Sequence, residues 1–118
     1  MEIAFSSKEL RDSCSQYLKL KEMVGDFADV LMSLLEDIKA CCSFLDLKNL
    51  LSFPYFIQNH MSPERLIIKI TDTIELAFVS NNSYVHNDDG KNINWDYVTH
   101  LKLVEILDNG VQNAKFSA

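Results

Sequence analysis

Between Phe27 and Cys42 the apolar side chains recur at Phe27, Val30, Leu31, Leu34, Leu35, Ile38, Cys41 and Cys42. Each step is one or three residues, so apolar positions repeat at intervals of three and four, which is the spacing of one face of an α-helix. Asp29, Glu36, Asp37 and Lys39 fall on the opposite side. A stripe this regular needs an apolar partner, so the chain must supply a second layer to cover it. Composition allows that: 47% of the 118 residues are hydrophobic and 24% charged, enough apolar surface to offset chain entropy and exclude disorder as the default state. One domain spanning 1–118 is the natural size reading, and such a chain buries roughly two-thirds of the surface its unfolded form exposes.

The partner layer is legible further along. Arg65-Leu66-Ile67-Ile68-Lys69-Ile70 is β-branched and apolar, and Ile74-Glu75-Leu76-Ala77-Phe78-Val79 follows a Thr71-Asp72-Thr73 turn. Together they predict a hairpin. Val98 to Leu107 is too apolar for a solvated edge and predicts a central strand. Ile3 and Phe5 suit a short N-terminal strand pairing at an edge. Ser6 with Glu9 has capping-box spacing for a first helix carrying Leu10, Cys14, Tyr17 and Leu18. Gly25-Asp26 separates that helix from the second. Leu45 to Leu51 is irregular, Pro54 blocks helix continuation, and Asn81 to Asn94 reads as a long polar loop. The expected fold class is therefore α+β: two N-terminal helices on one face of a small, mainly antiparallel sheet.

The formal net charge is -6, from 11 Lys+Arg and 17 Asp+Glu. Such a field repels polyanions and argues against gripping a phosphate backbone. The opening Met1-Glu2-Ile3-Ala4-Phe5-Ser6 has neither a basic nor an apolar leader region, and no stretch reaches the ~18 apolar residues of a membrane helix. A cytoplasmic protein with no membrane contact is expected. Cys14, Cys41 and Cys42 form an odd set with one vicinal pair, which reads as three reduced thiols. They lack the ligand spacing of a zinc site. Asp88-Asp89-Gly90 reads as a turn, short of the ligands a calcium loop requires. No nucleotide, nucleophile-elbow or metal motif occurs, so no cofactor and no metal are expected.

Three segments resemble the RelE/ParE superfamily of toxins, in its HigB-like plasmid maintenance killer branch. They are Ile3-Ala4-Phe5-Ser6-Ser7-Lys8-Glu9-Leu10; Asp46-Leu47 with the later Leu76-Ala77-Phe78; and Asp88-Asp89-Gly90, Ile93-Asn94-Trp95-Asp96-Tyr97-Val98-Thr99 and Val104-Glu105-Ile106-Leu107-Asp108. The resemblance implies a RelE-like fold, ribosome-dependent mRNA cleavage (an mRNA interferase activity) and restraint by a cognate antitoxin. It also implies a structural role for Trp95. Cleavage of that kind needs cations on the scissile phosphate and a group to move protons.

This chain departs from the family where that chemistry sits. Met61-Ser62-Pro63-Glu64 stands where a basic run is usual, Glu75 where an arginine precedes Leu-x-Phe, and Asp108-Asn109-Gly110 where Asp-Tyr-His closes the last strand. The remaining nuclease candidates are His60, Arg65 and Lys69, with His100 behind them; His100 and Lys102 alternate on the last strand and line its polar face. The expected function is a toxin-like component of a type II toxin-antitoxin system that binds an antitoxin, with cleavage weak or lost. One alternative is an active endonuclease built on His60, Arg65 and Lys69, with ribosome and mRNA as partners. A second is a ParE-like inhibitor of gyrase. No specific DNA binding by the chain alone is expected.

Overall fold

The computed structural model describes residues 1–60, 63–82 and 93–108. Strand β1 (Glu2–Phe5) leads into helix α1 (Lys8–Ser15), α2 (Tyr17–Val24), a 3-10 turn (Gly25–Phe27), α3 (Ala28–Ala40) and α4 (Phe44–Leu50). Strands β2 (Tyr55–Gln58), β3 (Arg65–Lys69) and β4 (Ile74–Ser80) follow, then a 3-10 turn (Trp95–Tyr97) and β5 (His100–Asp108). The five strands form one open sheet in the order β1-β5-β4-β3-β2. Only β1–β5 is parallel; the other three pairings are antiparallel. The coarse expectation, an α+β domain with helices on a mainly antiparallel sheet, is what the structure shows.

The helical layer is richer than two helices. Ser7, not Ser6, caps α1: its Oγ accepts the Leu10 N–H at 3.1 Å. Ser6 instead donates its hydroxyl to the Val104 carbonyl at 3.2 Å, tying the β1–α1 junction to β5. An extended Gln16 divides the first helical stretch into α1 and α2. Gly25 ends α2 with φ +65°, a left-handed value that favours glycine. The irregular stretch after Ser43 is also helical. In α4, Phe44 and Leu47 lie one turn apart and are buried, while Leu45 and Leu50 stay exposed. Two exposed leucines among the buried ones obscure the stripe in sequence. Pro54 lies beyond the end of α4 and precedes β2, an edge strand the sequence reading did not foresee.

The α3 stripe behaves as its spacing requires. Leu31, Leu34, Leu35 and Ile38 are buried, together with Leu10, Leu20, Ala28 and Leu47. They meet Leu66, Ile68, Leu76, Phe78, Leu101, Leu103 and Ile106, the residues of one sheet face. Full burial of such side chains contributes about 1.5–3 kcal/mol each, before chain entropy is counted. Phe27 and Cys42 depart from the stripe. Phe27 precedes the helix and remains 41% exposed, and Cys42 lies beyond its end and is exposed.

The opposite sheet face carries a second, smaller cluster: Ile67, Ala77, Val79 and Val104. A β-bulge produces part of it. Ala77 faces Glu105 and Phe78 faces Leu103, leaving Val104 as the extra residue. The bulge shifts the alternation of β5, so Leu103 and Ile106 join the main core while Val104 joins the outer cluster. No helix of the described residues is long and apolar enough to cross a membrane.

Candidate functional site

The outer sheet face is where the candidate cations stand. Arg65 opens β3 and Lys69 closes it. They lie four residues apart on one strand, with Ile67 between them on the same face, so their Cα atoms are roughly 13 Å apart. His60 is exposed in the turn after β2. Among the described residues, no ion pair or hydrogen bond joins any two of these three to each other.

Each strand cation has a carboxylate nearby in the sheet. Arg65 Nη1 lies 3.4 Å from Glu105 Oε2, with side chains 23% and 16% exposed. Lys69 is the direct register partner of Glu75. Cross-strand neighbours of opposite charge attract, and the β5 bulge brings Glu105 opposite Ala77, within reach of Arg65. A guanidinium already paired in a half-buried setting is a poor electrophile for a scissile phosphate, because that phosphate must compete with Glu105 for it. Glu105, standing near the close of the last strand, is the partner of Arg65 that the sequence pattern did not reveal. Its pairing depends on strand register and on a bulge, and neither shows in the sequence pattern.

His100 belongs to a different network. Its Nε2 is 3.1 Å from Glu2 Oε2. Its Nδ1 is 2.9 Å from Thr99 Oγ1 and 3.2 Å from Asn82 Nδ2. Asn82 also accepts the backbone N–H groups of Thr99 and His100 through Oδ1, at 2.8 and 2.9 Å. The imidazole therefore joins the edge strand β1 to the start of β5 and to Asn82, two residues beyond the end of β4. It does not approach Arg65 through any of these bonds, and its contacts are those of a structural tie.

Trp95 is an anchor as well. It is 8% exposed, packs edge-on against Phe44 at 6.0 Å between ring centroids, and donates its indole N–H to Glu64 Oε1 at 3.1 Å. The other Glu64 oxygen accepts the Ile93 N–H at 3.2 Å. Glu64 thus fastens the segment that enters the Trp95 turn to the start of β3. Lys48 on α4 adds a 2.6 Å bond to Asp96, and that acceptor raises the Lys48 pKa above its ordinary value.

The three cysteines are free; Cys14 and Cys41 are buried and Cys42 is exposed. Burial pushes the Cys14 thiol up to about 11, against a smaller opposing effect of Lys39. Burial also raises Cys41, with Asp46 adding to it. Neither buried thiol is activated as a nucleophile. Among the described residues, no group of three or more His, Cys, Asp or Glu is placed to hold a metal ion. Asp88 and Asp89 lie outside the described residues, as do Met61, Ser62 and the segment 109–118.

A cavity of about 560 Å³ opens between α1 and α2, lined by mixed charges including Lys8, Glu9, Asp12 and Glu22. A second, of about 300 Å³, lies between α3 and the α4 segment. Neither contains His60, Arg65 or Lys69. No protein-family model matches the chain, and neither the curated proteins nor the solved structures include a match to it.

Proposed function

We propose that this chain is a toxin-like binding protein of a type II toxin-antitoxin pair, acting in the cytoplasm, in which mRNA cleavage is weak or lost. The reading rests on the RelE/HigB resemblance of the three sequence segments. One observation favours binding over cleavage: the pairing of Arg65 with Glu105 at 3.4 Å on the outer sheet face. Glu75 opposite Lys69 adds a second carboxylate to the same surface. A nuclease would need these cations free, and a net charge of -6 opposes approach to the ribosome.

The test has two arms in one strain. The chain is tagged in its native host and purified with whatever small protein its neighbouring reading frame encodes. Its induced expression is then followed by growth and by mapping of transcript ends on translating ribosomes. A stoichiometric complex with intact transcripts supports the proposal. Cleavage that disappears with Arg65→Ala or Lys69→Ala would replace it with the active endonuclease. Inhibition of gyrase supercoiling by the purified chain would replace it with the gyrase inhibitor.

A further inference from the structure

The cavity between α3 and α4 lies in the helical layer, away from the Arg65 face. Leu34 and Cys41 form one wall; Leu47, Leu50, Leu51 and Phe53 form the other. Leu50 is 73% exposed at its rim, although it is a large apolar side chain at the end of a helix. At about 300 Å³ the cavity stands at the lower end of the range for ligand pockets. The one charged side chain in its lining is Asp37, which is exposed. Asp37 falls on the polar side of α3, next to the buried stripe of Leu34 and Ile38.

An apolar groove with a carboxylate on its lip suits an apolar anchor carried beside a cation. We propose that this groove docks a basic amphipathic helix of a partner protein, placing a leucine-sized side chain between Leu34 and Leu50 and a lysine or arginine against Asp37. Helix-in-groove recognition reads apolar residues at i, i+3/i+4 and i+7 in this way. Charge complementarity selects the partner: an acidic chain with an acidic groove lip attracts a basic segment and repels an acidic one, and this steering fades as salt screens it. The inference goes beyond the reading of the sheet face and does not depend on it.

The probe is a synthetic 16-residue helical peptide with leucines at i, i+4, i+7 and i+11 and lysines on its remaining face. A second peptide carries glutamate in place of every lysine. Binding is measured by fluorescence anisotropy, and the site is mapped by amide chemical shifts of the full chain. The proposal predicts shifts centred on Ala40, Leu47, Leu50, Leu51 and Phe53. It predicts at least tenfold weaker binding for Leu50→Lys and for the glutamate peptide, and a several-fold loss for Asp37→Lys. Both substituted positions are exposed, so the fold is retained. Leu18→Lys, at an equally exposed leucine on α2, leaves binding unchanged. Three results would overturn the proposal: no binding by the lysine peptide, equal binding by both peptides, or binding that survives Leu50→Lys. Self-association of the chain, seen by sedimentation and abolished by Leu50→Lys, would assign the groove to a second copy instead. All of these readouts are independent of whether transcripts are cut or an antitoxin is found.

Discussion

Glu64 holds more than its place in the sequence suggests. It accepts both the Trp95 indole N–H and the Ile93 amide. Removing it leaves two donors without this partner, one of them on a buried side chain. Glu64→Ala is expected to cost about 1–3 kcal/mol of stability and to shift the Trp95 emission to the red, measured by urea titration and fluorescence. The thiols give a second check at this scale. Cys42 should react with a thiol reagent at once, while Cys14 and Cys41 should react at the rate of opening or unfolding. Cys14 also ties stability to pH. Its folded pKa of about 11 lies above the ordinary 9.0, so the unfolded state loses the proton first. Its contribution is complete below pH 9 and is lost as pH rises from about 9 to 11. The full effect is roughly 2–3 kcal/mol. Comparing Cys14→Ala with the parent at pH 8 and pH 10.5 measures it: the parent should lose more stability over that interval. The residue scale is also where sequence reading fell short. Arg65 was recognisable as a candidate, but its partner Glu105 lies far along the chain and is placed by a bulge.

At the scale of elements, strongly periodic segments were legible and weakly periodic ones were not. Helix α3, the β3–β4 hairpin and β5 each carry a strong apolar signature, and each forms where that signature lies. The short strand β1 was legible from two alternating apolar residues, and it pairs at an edge as economy of hydrogen bonding required. Helix α4 was hidden because its exposed Leu45 and Leu50 blur the Phe44–Leu47 face. Strand β2 was hidden because it is four residues long, follows Pro54 and exposes Tyr55 and Phe56. The helix assignment makes a differential prediction. Leu47 is 1% exposed and Leu50 is 73% exposed. Leu47→Ala should cost about 2–5 kcal/mol by leaving a cavity in the core. Leu50→Ala should change stability by no more than about 0.5 kcal/mol. An irregular loop over these residues would make the two variants alike. Denaturant midpoints of the two proteins distinguish the cases.

For the whole molecule, the sheet separates two surfaces with different chemistry. One face is sealed by four helices. The other presents Arg65, Lys69 and Lys102 among Glu75, Glu105 and Glu2, so cations and carboxylates alternate over a small apolar cluster. Among the described residues this face mixes both signs and forms no basic cleft, so it does not relieve the overall charge of -6. This balance is why the proposed function separates a toxin-like scaffold from the cleavage chemistry. The measurement that tests it most directly is the mapping of transcript 5′ ends on translating ribosomes after induced expression of the parent chain and of Arg65→Ala. The account predicts the same intact transcripts for both proteins. New cleavage sites made by the parent and absent with Arg65→Ala would contradict it.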